Sequence, residues 1–140
     1  MDVQRELEKG LRHHRAGRLK EAEKIYAKIL KVNPNLPACL HLRGFVAHQR
    51  GKNDEAIEHI GKAIERDPNQ AVFHYNLASP YLAQRRLDEA IACYQKALRL
   101  NPELIQAHVN LGNVLQEQGR LTEAVHHYNS ARELNPGDLL

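Results

Sequence analysis

Apolar residues recur along this chain at steps of three and four, as in Leu87, Ala90, Ile91, Tyr94, Ala97 and Leu98. That spacing places one stripe on a helix and leaves the opposite face polar. The same pattern returns in blocks. Pro34, Pro68, Pro102 and Pro136 are each 34 residues apart, as are Ala22, Ala56, Ala90 and Ala124, and Glu21, Glu55, Glu89 and Glu123. Softer series keep the step with size retained where identity is not: Gly10, Gly44, Ala78 and Gly112; Tyr26, Ile60, Tyr94 and Tyr128; Gly17, Gly51, Arg85 and Gly119. A fixed period of this length marks a stacked repeat architecture. The expectation is one domain over 1–140, with repeats at about 3–36, 37–70, 71–104 and 105–138.

Each block reads as two helices. The small residues at 10, 44, 78 and 112 stand where the first helix approaches the second closely. Gly17, Gly51 and Gly119 end the first helix, because glycine accepts the left-handed conformation of a C-terminal cap. Asp54, Asp88 and Thr122 are expected as N-caps of the second helix, with Lys20 breaking the rule in the first block. The pairs at 33/34, 67/68, 101/102 and 135/136 close the second helix, since a residue before proline is pushed out of the α region.

A large residue, a small residue, Ala, an aromatic and Pro over 34 residues, clearest in Asn110-Leu111-Gly112, Gly119-Arg120-Leu121, Glu123-Ala124, Tyr128, Ala131 and Asn135-Pro136, resemble the tetratricopeptide repeat family from about Val3 to Asp138. The resemblance implies an all-α fold, an α-solenoid wound as a right-handed superhelix of four helix-turn-helix repeats. In that family the first helices line a concave groove that holds an extended peptide or a partner helix. The chain is then a protein-interaction scaffold and not an enzyme. The style of Ala16–Glu23 and of His48–Gly51 is similar to the repeat region of bacterial O-GlcNAc-transferase-like proteins.

Asn76 and Asn110 hold equivalent places in blocks three and four, where an amide both donates to and accepts from a peptide backbone. The arrangement resembles the asparagine ladder of O-GlcNAc transferases, with Glu8 and Leu42 in the other two places. His41, Phe45, His48, Tyr75, Asn113 and Gln116 complete the expected peptide-binding groove. A clamp for chaperone C-termini would need Lys and Asn where Leu7 and Leu11 stand, so that ligand is not expected.

Charge changes this picture little. The net charge is +3, with 14 Lys/Arg against 10 Asp/Glu in residues 1–70 and 6 against 7 afterwards. Nine Lys/Arg in residues 1–31 raise RNA as a partner, but no base-reading code accompanies them, so nucleic acid is not expected. No apolar run approaches the roughly 18 residues of a membrane span, and no secretory signal opens the chain. A cytoplasmic protein is expected. Cys39 and Cys93 fit no metal or redox spacing and read as small buried hydrophobes. The nine histidines suggest no metal site: His13/His14 and His126/His127 are adjacent and diverge, and His41 and His48 are too far apart along one helix. Ser79 and Ser130 lie in no nucleophile motif, and no cofactor is expected.

Two features remain. Pro80 falls inside a predicted helix, where its missing amide forfeits the bond to the Asn76 carbonyl at a cost of about 3 kcal/mol. The last predicted helix carries Leu121, Ala124, Val125, Tyr128, Ala131 and Leu134. Without a capping helix after it, the alternative function is self-assembly, through that C-terminal helix or by exchange of repeats around Pro80.

Overall fold

The computed structural model describes residues 1–135 and 137. Among these residues all regular structure is helical: α1 (Val3–Arg15), α2 (Leu19–Val32), α3 (Pro37–Gln49), α4 (Asn53–Arg66), α5 (Ala71–Ala83), α6 (Leu87–Leu100), α7 (Ile105–Glu117) and α8 (Leu121–Leu134). The helices form two compact units, Met1–Asn69 and Gln70–Leu140. In the first, hairpins α1–α2 and α3–α4 pack through α2 and α3; in the second, α5–α6 and α7–α8 pack through α6 and α7.

Close approach within each hairpin depends on the small residues. A Cβ on Gly10 would lie 2.6 Å from the Tyr26 ring, one on Gly112 2.5 Å from the Tyr128 ring, and one on Gly44 2.5 Å from Ile60 Cγ1. In the third hairpin Ala78 takes the place and is fully buried. The unit 1 core is built from residues such as Ala22, Tyr26, Ile29, Val46, Ala56 and Ile60. Its counterpart in unit 2 centres on Ile91, Tyr94, Leu111, Val114 and Leu115.

The turns inside the hairpins follow one scheme. Gly17, Gly51 and Gly119 adopt φ of +79°, +78° and +77°. The next amide bonds back to the helix it has just left, as in Lys52 N–H to Ala47 O at 2.8 Å and Arg120 N–H to Leu115 O at 2.9 Å. That same next residue is the N-cap of the following helix, which corrects the expected caps. Arg18, Lys52, Arg86 and Arg120 occupy the position, and their carbonyls accept the first helical bonds from Ala22, Ala56, Ala90 and Ala124. Asp54, Asp88 and Thr122 stand two residues further on, inside the first turn, and no side chain caps α4, α6 or α8. One residue closes one helix and opens the next, so the turn has no room for a separate cap.

Asn33, Asp67 and Asn101 leave the helical region before their prolines, at ψ of 87°, 83° and 90°. Asn135 does the same at ψ 79°, while Pro136, the end of the expected fourth repeat and the final Asp138-Leu139-Leu140 lie outside the described residues. Arg85 departs from its series differently than size would suggest. It keeps the backbone conformation of the glycines, at φ 59°, and projects a full side chain. Pro80 does not end its helix: α5 runs through it, as long as α1, α3 and α7, with Pro80 buried.

Candidate functional site

In unit 1 the expected groove residues collect around Phe45 on α3. The His41 ring stacks on it at 6.4 Å, and His14 approaches from α1 at 5.4 Å. The His14 Nε2–H donates to Gln49 Oε1 at 2.6 Å, and its Nδ1 faces the Tyr26 hydroxyl at 3.5 Å. Burial, helped by the nearby His14, pushes the His41 pKa down to about 4, so the His41 ring is neutral at physiological pH. His48 turns instead to the start of α4, where its Nδ1–H donates to Asn53 Oδ1 at 2.8 Å. His14 and Gln49 are not among the expected groove residues, because their meeting across two helices leaves no trace in the spacing.

Unit 2 is built differently. Asn110 on α7 donates its amide N–H to the Tyr75 hydroxyl on α5 at 2.9 Å, and the Tyr75 ring lies 5.8 Å from that of Tyr94. Burial raises the Tyr75 pKa against the opposing pull of that amide, and it drives Tyr94 up to about 12, so both hydroxyls stay protonated. The Asn110 amide also acts on the Tyr94 hydroxyl, which leaves its carbonyl oxygen to offer a ligand. Asn113 and Gln116 are joined through α8: the Tyr128 hydroxyl lies 2.7 Å from Asn113 Oδ1 and 2.9 Å from Gln116 Oε1. Asn76 is half-buried beside Tyr75 on α5.

A cleft joins these elements. Asn110 and Asn113 line it, above a floor that includes Leu82, Tyr94 and Val114. Ser79, Arg85 and Glu117 edge it, and the Arg85 guanidinium pairs with the Glu117 carboxylate between α7 and the turn after α5. Sequence reasoning missed this pair. The signal was available in Arg85, the one member of its 34-residue series that is not glycine.

Family models agree with the repeat seen in the helices. A TPR repeat model matches residues 79–119, and tetratricopeptide repeat models match 47–95 and 105–138. The chain belongs to the tetratricopeptide repeat family. Among solved structures, "Crystal structure of MamA" superposes with a TM-score of 0.84 at 28% identity, covering 91% of this chain and 75% of that one. MamA 41-end from Desulfovibrio magneticus RS-1 gives a TM-score of 0.88 at 24% identity, over 96% and 76% of the two chains, and shows the fold alone. An O-GlcNAc transferase mutant of Thermobaculum terrenum aligns at a TM-score of 0.78 and 26% identity over 81% of this chain, which spans 22% of that enzyme. No curated protein matches. The fold is therefore the all-α tetratricopeptide solenoid, and its role is that of a protein-interaction scaffold. Among the described residues, no helix is long and apolar enough to cross a membrane.

Proposed function

We propose that this tetratricopeptide protein holds an extended polypeptide segment against the first-helix faces of its repeats, with the cleft of unit 2 as the principal contact. The observation that carries the reading is Asn110. Its amide is oriented by the Tyr75 hydroxyl, and it lines a cleft with an apolar floor and polar edges. A peptide backbone N–H meets an acceptor there, whatever its side chains, while Asn113, Gln116 and Ser79 add adjustable polar contacts. In unit 1, Phe45, His41 and His14 offer ring surfaces to apolar or aromatic ligand side chains. The role requires neither catalysis nor a cofactor, and two buried free cysteines suit a reducing cytoplasmic setting.

The test is binding of a fluorescent peptide library, followed by Asn110→Ala. Affinity is expected to fall about tenfold, the worth of one to two hydrogen bonds, with the helical fold retained by circular dichroism and only a small drop in melting temperature from the lost bond to Tyr75. Retention of affinity within twofold would overturn the assignment of this cleft.

A second reading, self-assembly through α8, is favoured by its exposed apolar residues. Leu121, Val125 and Leu134 are 59%, 54% and 39% exposed. A neighbouring cleft is lined by Val109, Val125, Tyr128 and Ala131. Within unit 2 the matching face of α6 is covered by α7. A second copy would offer α8 the same kind of helix. Light scattering over a hundredfold concentration range decides it: a constant 16.0 kDa dismisses assembly, and growth in mass supports it.

A further inference from the structure

His108 on α7 and His127 on α8 face each other with their Nδ1 atoms 3.1 Å apart. The ring centroids are 5.4 Å apart, longer than the nitrogen separation by about the full two ring radii, so each nitrogen points at the other. His108 Nε2 lies 2.9 Å from the Pro102 carbonyl, which can only accept, so Nε2 carries the His108 proton. The neutral ring then has its lone pair on Nδ1, and His127 Nδ1–H donates into it. Both rings are thereby fixed in one tautomer.

The next residue along α8 is Tyr128, whose hydroxyl reaches Asn113 and Gln116 on α7. Two consecutive side chains of α8 thus hold α7, one through an imidazole pair and the other through two expected groove residues. We propose that the His108–His127 pair is an acid-sensitive latch that keeps α8, and with it Tyr128, in place against Asn113 and Gln116. The effect on ligand binding rests on the groove reading above; the latch itself does not.

The proton count follows from the tautomers. A first added proton goes to His127 Nε2 and leaves the N–H···N bond intact. A second must go to His108 Nδ1, where it turns the acceptor into a donor and sets two N–H groups and two positive charges head to head. Opening frees that lone pair, so the open state binds one more proton than the closed state at low pH. Among the described residues, the groups that act on His127 are His108 from α7 and His126 and Glu123 on α8. Burial and the two histidines disfavour the charged ring, and Glu123 opposes them. Glu123 is itself held by Arg120 at 2.8 Å. The α6–α7 loop contributes the Pro102 carbonyl.

Hydrogen exchange of the α8 amides on the full chain, corrected for intrinsic rates, reads the opening directly. Below about pH 6.5 the opening equilibrium is expected to rise by up to tenfold per pH unit. His127→Asn donates its amide N–H to a neutral His108 and, with the amide turned over, accepts through Oδ1 from a protonated one, so closed and open states bind protons alike and the slope should flatten; His126→Gln should leave it unchanged. Equal slopes in the native chain and His127→Asn overturn the latch. Nitrogen-15 shifts of the native histidines test it without any variant: an unprotonated His108 Nδ1 at pH 7 supports it, and a protonated one overturns it. Peptide affinity should fall with acid in the native chain and not in His127→Asn. If no peptide binds at pH 7.5, the groove reading fails while the exchange result still decides the latch.

Discussion

Units 1 and 2 carry the same helices in the same order, yet their first-helix faces are chemically opposite. Unit 1 presents rings: Phe45 is packed by His41 and His14, and Gln49 accepts from His14. Unit 2 presents amides, hydroxyls and an ion pair, in Asn110, Tyr75, Asn113, Arg85 and Glu117. Gln49 and Glu117 are equivalent by the 34-residue step, and so are Gly17 and Arg85. Where unit 1 has a relaxed glycine and an uncharged amide, unit 2 has a strained arginine and a carboxylate. The scaffold thus tolerates a change of wall chemistry as long as the buried series is kept.

The largest difference should appear in overpacking. A Cβ added to Gly44 in unit 1 would meet backbone as well as a side chain, with Ala56 O and Ile60 N each 3.1 Å away, whereas the three atoms nearest a Cβ on Gly112 in unit 2 all belong to the Tyr128 ring. Gly44→Val is expected to cost about 3 kcal/mol, and Gly112→Val roughly 1 kcal/mol less because a half-buried ring can turn aside. Urea midpoints of the two variants measure this, and equal losses would mean that backbone and side chain yield alike.

Pro80→Val comes next and belongs to unit 2. Val46 and Val114 occupy the equivalent places in buried positions, so valine should fit and restore an amide donor. A gain of roughly 2 kcal/mol, most of what an interior proline costs, is expected as a rise in the melting temperature. No rise would show that α5 has already relaxed around the ring.

Acid should weaken unit 1 through His41 and His59, both held below the ordinary histidine range chiefly by burial. Their folded forms resist protonation, so the unfolded chain binds more protons. The stabilisation is complete above about pH 6.5 and is lost as pH falls toward the folded value, which for His41 is about 4. The loss for His41 is on the order of 2 kcal/mol. Denaturant titrations of His41→Gln across this range should show a flatter pH profile than the native chain.

The smallest effect is Arg85→Gly. Relief of the left-handed backbone is worth about 1 kcal/mol, and the ion pair lost with it is exposed and contributes less, so slight stabilisation is expected. A clear loss of stability would give the Arg85–Glu117 pair a structural weight that its exposure argues against.

The repeat was legible because it is written in residues whose size or backbone freedom has no substitute. Gly44, Gly112, Gly17 and Gly119 announce close approaches and left-handed turns by identity alone. The N-caps were misplaced because Asp54 and Asp88 have the right chemistry for a cap, while their position depends on a turn in which one residue serves two helices. The polar pairs were invisible for another reason. Asn110 with Tyr75, and His108 with His127, join residues on different helices whose meeting depends on the stacking and rotation of whole hairpins. Periodicity identified Asn110 as a place; it could not supply its partner.

The two free cysteines are divided one to a unit. Cys39 is fully buried, its thiol donating to the Tyr26 carbonyl at 3.4 Å, and Cys93 lies in the unit 2 core. Burial drives both thiols up to about 12, so neither is a nucleophile while its surroundings are closed. The native chain therefore carries a built-in reporter in each half: under a pulse of alkylating reagent, the mass added at Cys39 or at Cys93 times the exposure of one unit independently of the other.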